Sequence, residues 1–333
     1  MKGATATARA HANIALSKYW GKSDTTYNLP AVPSISITLA PLVTETRVRF
    51  VDGLGEDRLE LDGQAARPRE LQRAVELLDR VRAESGMALR ADIQSRNDFP
   101  TAAGLASSAS GFCALAAAAR AAAGLPFERP AISALARWSS ASAARSAFGG
   151  YVELPAGAPG EAHLTAEPLF DPSHWELAIV VAVTAEGRKS VASTDGMGLT
   201  KRTSPYYNAW LAAAPGLNDE VRAGLASRDL QRLGRAMEQS TLAMHASAIA
   251  ADPGLFYFQP ATLEVWMAVR HLRDEHGISA FATADAGPHV KVLCRRSEAP
   301  EVERLLGEVP GVLRTLRALP GAGVHVVEGE EVT

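Results

Sequence analysis

Four short stretches carry residue types that could do chemistry together. In NIALSKYWGK, residues 13–22, Asn13, Lys18 and Lys22 stand beside the aromatic Tyr19 and Trp20, and a small-residue loop, PAVPSIS, follows. Two ammonium groups next to rings that exclude water suit an anionic substrate; the same pattern also suits two solvated surface lysines. In PTAAGLASSASGFCALAAAA, residues 100–119, Gly104 permits close backbone approach, and Ser107, Ser108 and Ser110 stand where an alanine-rich helix begins. The free N–H groups and partial positive charge of a helix N-terminus favour phosphate, and serine hydroxyls add donors. The same serines would cap an ordinary core helix, so residue types alone leave cradle and cap equally open. A Walker loop is excluded, because GxxxxGK[ST] requires a lysine that this stretch lacks.

The third stretch, SSASAARSAFGG, residues 139–150, sets Ser140, Ser142, Arg145 and Ser146 among alanines. A guanidinium in that setting can grip a carboxylate or phosphate through two parallel hydrogen bonds, or close a buried structural ion pair. In the fourth, ATADAGPHVKV, Asp285 ends an apolar strand just before Ala-Gly-Pro. A carboxylate at a strand end can orient or deprotonate a hydroxyl, although Asp, Gly and Pro are also ordinary turn residues. The eight histidines make no HExxH or other metal spacing, GxGxxG is absent, and no GxSxG elbow has triad partners. His245, in AMHASA, reads as a core or pocket histidine.

The elements that must position these groups belong to an ordinary globular chain. Of its 333 residues, 47% are hydrophobic and 21% charged, enough for one large or two intermediate domains. With 34 Lys plus Arg against 37 Asp plus Glu, the net charge of −3 gives no support to nucleic-acid binding driven by counterion release. A local basic pocket is compatible with a near-neutral total. Cys113 and Cys294 belong to no paired motif and read as buried, reduced thiols. The first twenty residues lack the apolar core of a secretory signal, and no segment approaches the roughly 18 uninterrupted apolar residues of a membrane span. A cytoplasmic protein with neither nucleic-acid nor membrane partners is expected.

Periodicity gives the elements. LVTETRVRF, residues 42–50, alternates as a half-buried strand, and RLEL at 58–61 predicts a hairpin with it. Pro68 to Glu84 has helical spacing, ALRADIQS returns to alternation, and Leu105 to Ala123 reads as a buried helix stopped by Gly124 and Pro126. A further helix is expected at Ala131 to Ser139, then strands at YVEL and at ELAIVVAV, the latter buried on both faces. Residues 204 to about 276 are mostly helical in pattern; ISAFATA and HVKVLC then flank Asp285, and a helix and a short strand close the chain. Without strict βαβ alternation this predicts α+β, in two lobes spanning 1–185 and 186–333.

Taken in order, NIALSKYWGKSDTTYNLPAVPSISITL, NDFPTAAGLASSASGF, SSASAARSAFGGYVEL, VASTDGMGLTKRTSPYY and TADAGPHVKVL resemble the diphosphomevalonate decarboxylase family of the GHMP kinase superfamily. The segments run from residue 13 to about 294, nearly the whole chain. The resemblance implies a two-lobed α+β fold with mixed and antiparallel sheets and packed helices, carrying a phosphate loop of the PxxxGLxSSAS kind. It implies that ATP, with Mg2+, phosphorylates the 3-hydroxyl of mevalonate 5-diphosphate, after which phosphate and CO2 leave to give isopentenyl diphosphate.

By the same resemblance Asp285 orients or deprotonates the tertiary hydroxyl, Arg145 and Asn13 hold the substrate carboxylate, and Lys18 and Ser140 contact substrate polar groups. Tyr19, Lys22, Ser142, Ser193 and Met197 are further substrate contacts. Pro100, Ala103, Gly104, Leu105, Ala106, Ser107 and Ser108 would bind ATP, with Ser107 and Ser108 serving its magnesium. The family's members are commonly homodimers, so a homodimer is expected. Two departures stand out: His289 where the family commonly has Asn, and SSASAARS for GSGSACRS, in which Ser139 replaces a glycine. A mevalonate 3-kinase, a phosphomevalonate decarboxylase or a catalytically silent metabolite sensor would share much of this pattern.

Overall fold

The computed structural model describes residues 4–99, 107–186 and 191–327. The N-terminal half runs β1 (Thr5–Ala15), β2 (Lys22–Asp24), β3 (Leu29–Pro30), β4 (Ser34–Val51), β5 (Arg58–Leu61), β6 (Gln64–Ala65), α1 (Pro68–Ser85), β7 (Arg90–Asn97), α2 (Ser107–Ala122) and α3 (Arg129–Ser139). A 3-10 helix (Ala141–Ala147), β8 (Tyr151–Leu154), β9 (Glu167–Phe170) and β10 (Leu177–Val183) follow. Then come α4 (Ser193–Thr203), α5 (Tyr207–Ser227), α6 (Leu230–Ile249), α7 (Pro260–Asp274), β11 (Phe281–Ala284), β12 (Val290–Arg295), α8 (Ala299–Gly307), β13 (Arg314–Pro320) and β14 (His325–Val327).

The long strand β4 joins the halves into one sheet. Along its length it pairs antiparallel with β1, β7 and β8, and Ala40 meets Leu319 of β13. Strand β13 continues through β10 and β12 to β11, so residues from both ends of the chain share one hydrogen-bonded surface. The expected hairpin of 42–50 with 58–61 does not form. Strand β7 lies between them, antiparallel to β4 and parallel to β5, because its alternating residues complete the face that α1 and α2 cover. Periodicity also missed β1, whose alanines give weak strand propensity; its burial against α2 decides it.

Local chemistry explains the flanking helices. Pro68 opens α1, the Glu70 carboxylate accepts the Arg67 N–H at 3.0 Å, and Gly86 ends the helix at φ 71°. Alanines let α2 lie close on β1 and β4, which buries Ala109 and most of Cys113 to Ala119 completely. Strand β10 is apolar throughout because both faces are covered. Ile179, Val181 and Val183 meet Leu233 and Met237 of α6, while Ala178, Val180 and Ala182 meet Val265 and Val269 of α7. Both cysteines are free and buried. No helix among the described residues is long and apolar enough to cross a membrane.

Candidate active site

Four elements deliver polar groups to one place. Lys18 lies just past the end of β1, Asp285 just past β11, Lys291 within β12 and Arg145 within the 3-10 helix. Lys18 Nζ donates to Asp285 Oδ1 at 2.7 Å and to the Ala15 carbonyl at 3.0 Å. Lys291 Nζ stands 3.2 Å from Asp285 Oδ2. The two lysine side chains are 1% and 0% exposed, whereas the carboxylate keeps 28% exposure and so forms the open face of the group.

The Lys18 backbone is held from two sides. Its N–H donates to Ser240 Oγ of α6 at 2.9 Å, and the preceding Ser17 hydroxyl donates to Asn218 Oδ1 of α5 at 2.6 Å. Asn218 in turn donates to the buried Glu153 of β8, which pairs with Arg222. The strand that leads to Asp285 is held from behind by Thr241 and His245 of α6. The Thr241 hydroxyl lies 3.0 Å from that of Thr283, and His245 Nε2 lies 3.2 Å from the Ala284 carbonyl.

Arg145 is a buried cation with neutral partners. Nη1 donates to Ser34 Oγ at 2.6 Å, Nη2 reaches Asn13 Oδ1 at 3.4 Å, and Nε is buried without a partner. Asn13 itself donates to the Ser142 carbonyl at 3.0 Å and to Ser146 Oγ at 2.8 Å, which ties β1 to the 3-10 helix. A buried ion pair was one reading of this arginine; among the described residues no carboxylate pairs with it, and its hydrogen-bond partners are neutral. The Tyr19 hydroxyl nearby is likewise buried and unpartnered.

Electrostatics follow from this packing. Burial pulls the Lys18 ammonium down to about 8, opposed by Asp285 and reinforced by Lys291 and Arg145. Burial would push the Asp285 carboxyl up, but the two ammonium groups overcome it and hold the carboxyl well below the usual carboxylate range. Burial brings Arg145 down to about 10, which leaves it charged at neutral pH, and brings His245 down to about 4, which leaves it neutral. A second cationic group gathers around β2: Lys22, half-buried there, is pulled down by burial and by the charges of Arg73 and Arg69 from α1, while Asp195 opposes the shift.

Residues 10–165 match the family model described as the diphosphomevalonate decarboxylase-like N-terminal domain, and residues 179–316 match the mevalonate 5-diphosphate decarboxylase C-terminal domain. A diphosphomevalonate decarboxylase of Eremothecium gossypii is 36% identical over 304 residues, 85% of this chain and 76% of that one. The chain belongs to the diphosphomevalonate decarboxylase family. A phosphomevalonate decarboxylase of Haloferax volcanii is also similar, 32% identical over 303 residues, 91% of this chain and 92% of that one. The solved structure of MDDEF in complex with MVAPP, AMPPCP and magnesium superposes with a TM-score of 0.91 at 36% identity, covering 98% of this chain and 100% of that one.

Of the positions suggested by the likeness to these decarboxylases, Asn13, Lys18, Arg145 and Asp285 come together as described, with Tyr19 beside them. Ser140 and Ser142 follow α3, their hydroxyls 3.1 Å apart. Met197 is buried in an apolar wall with Trp20, Tyr207 and Tyr257, and Ser193 opens α4. Ser107 and Ser108 form the first turn of α2; Pro100, Ala103, Gly104, Leu105 and Ala106 lie outside the described residues. His289, the departure from the family's usual Asn, turns to the residue just past β10, where Nδ1 accepts the Thr184 N–H at 3.2 Å. Sequence reasoning missed Lys291, Ser34 and Ser240. Lys291 carried a signal, a lone lysine between valines in a strand-like stretch.

Proposed function

We propose that this enzyme uses ATP to convert mevalonate 5-diphosphate to isopentenyl diphosphate, phosphate and CO2, with transient phosphorylation of the 3-hydroxyl. The observation that carries this reading is the buried Arg145 guanidinium, without an anionic partner, near a carboxylate held between two lysines. The substrate carries a carboxylate beside its tertiary alcohol, and the site supplies the complement of each.

Asp285 is ionised at neutral pH and is a weak base, poorly matched to a tertiary alcohol. Its role is therefore to orient the hydroxyl and to accept the proton late, as the new P–O bond forms. Arg145 and Asn13 position the carboxylate. When the C3–O bond breaks, electrons of the bond to the carboxyl carbon form the new double bond and CO2 departs. Arg145 must hold the carboxylate without stabilising it more than the transition state, since only differential binding accelerates the step. Lys22, with Arg73 and Arg69 near it, supports a position at β2 for the diphosphate.

Ser107 and Ser108 at the N-terminus of α2 suit the nucleotide phosphates. No cluster of three or more His, Cys, Asp or Glu that could hold a metal ion lies among the described residues. Bound with the nucleotide, Mg2+ would neutralise phosphate charge during transfer. We further read the enzyme as a cytoplasmic homodimer with two lobes, and we count β10, which pairs with β12 and β13, with the C-terminal one.

The Haloferax volcanii relative makes the 5-monophosphate the rival substrate. Purified enzyme given ATP, Mg2+ and, in turn, mevalonate, its 5-phosphate and its 5-diphosphate decides between them. The highest kcat/KM is expected for the diphosphate; a preference for the monophosphate overturns the substrate assignment.

A further inference from the structure

Lys291 occupies a position where a neutral apolar residue would satisfy the packing. Strand β12 pairs with β10 and β11 on its two sides, and Lys291 is directly opposite both Val181 and Thr283. Directly opposed residues share a face, so its side chain lies on the face that α6 covers, with Phe281 and Leu293, while Val290 and Val292 point into the opposite core. Residues 283 and 285 alternate to that same face, which brings the ammonium to the free oxygen of the Asp285 carboxylate, 3.2 Å away. Lys18 already holds the other oxygen at 2.7 Å. A fully buried ammonium carries a desolvation cost that methionine would avoid.

We propose that Lys291 is a positioning residue that clamps the second oxygen of Asp285, fixing the carboxylate plane and keeping the acid ionised in its buried surroundings. This rests on the decarboxylase reading only for what the carboxylate then does. The groups that face Asp285 are Lys18 from the loop after β1, Lys291 from β12, Arg145 from the 3-10 helix and His245 from α6. The imidazole is neutral above about pH 4, so the cations set the balance. Three cations against one carboxylate leave the pocket with excess positive charge, ready for an anionic substrate. With each oxygen engaged by one ammonium, a lone pair on each still remains for the substrate hydroxyl.

The test uses full-length Lys291→Met, Lys291→Gln and Lys291→Arg variants. Carboxyl-carbon NMR of aspartate-labelled protein, with the Asp285 resonance assigned by its loss in Asp285→Asn, follows ionisation without turnover. Wild type is expected to stay ionised down to its acid-unfolding edge. Removal of a cation at this range shifts a carboxyl upward by about 1–3 pH units, so titration should appear in both neutral variants and retreat in Lys291→Arg. The acid limb of kcat/KM should move the same way, with the melting temperature of Lys291→Met no lower than that of wild type. A resonance that stays ionised to the same pH in the neutral variants, or an Arg variant that behaves like Met, overturns the clamp. Because the NMR readout needs no substrate, a chain that shows the shift but releases no CO2 supports the clamp and sinks the decarboxylase reading instead.

Discussion

The Lys18 ammonium stands 2.7 Å from the Asp285 carboxylate, an ion pair between residues 267 positions apart that joins the loop after β1 to the end of β11. Neither group can hold its charge comfortably there alone. The pair makes Asp285 a fixed anion, while burial lowers the pKa of Lys18 against the pull of that carboxylate, and both effects can be measured.

Replacing Asp285 with Asn keeps the shape, removes the charge and leaves two buried ammonium groups facing an amide. Turnover should fall by at least about a hundredfold, the lower range for loss of a positioned acid–base group, while ATP affinity measured by calorimetry stays close to wild type. Unchanged turnover would remove Asp285 from the chemistry.

Lys18 should set a basic limb. Its folded value of about 8 lies below the ordinary 10.5, so the free enzyme loses this charge, and with it kcat/KM, as pH rises through about 8. Lys18→Arg, which stays charged, should carry that limb upward even if its peak activity is lower. The stability effect has the opposite sign: between about 8 and 10.5 the unfolded chain binds the extra proton, so this residue makes folding more favourable as pH rises. Melting curves of wild type and Lys18→Met across that window check it.

Arg145 holds Ser34 and Asn13 with two separate nitrogens, a geometry that a lysine cannot copy. Truncating one member of a buried charged contact costs about 2–5 kcal/mol, so Arg145→Gln should lower kcat/KM by roughly thirtyfold or more. Arg145→Lys should rescue little of this. Steady-state kinetics with the diphosphate substrate provide the comparison.

Lys22→Ala should lower kcat/KM for mevalonate 5-diphosphate more than for the 5-monophosphate, narrowing the difference between them. Equal losses on both would move the distal phosphate away from Lys22. A fold-level check lies at Gly150, at φ 72°, where an added Cβ would overlap the Phe170 carbonyl. Gly150→Ala should destabilise the protein by about 2 kcal/mol or more in denaturant unfolding, because strain at positive φ adds to the overlap.

Much of the helical frame was legible in the sequence, as were β10, β11 and β12, since their periodicity and apolar runs reflect burial that local sequence records. The hairpin error came from a different kind of fact. Strand β7 inserts between β4 and β5 by a non-local pairing that no spacing between 42 and 61 encodes. At the site, motif order brought Asp285, Arg145, Lys18 and Asn13 forward, and the fold gathers them. Arg145 shows the limit of residue types alone: cleft anion-binder and structural ion pair look identical until its partners, Ser34 and Asn13, prove neutral. Lys291 and Ser240 could be assigned only once β12 and α6 were seen to pack against the Lys18 loop and Asp285.

The most direct test of the central claim is a single-turnover reaction with enzyme in excess over mevalonate 5-diphosphate, quenched and assayed together for ADP, phosphate and CO2. The expected result is one of each per substrate consumed, with all three lost in Asp285→Asn. ADP formed without CO2 would make the enzyme a kinase of the 3-hydroxyl and contradict the decarboxylation assigned to this site.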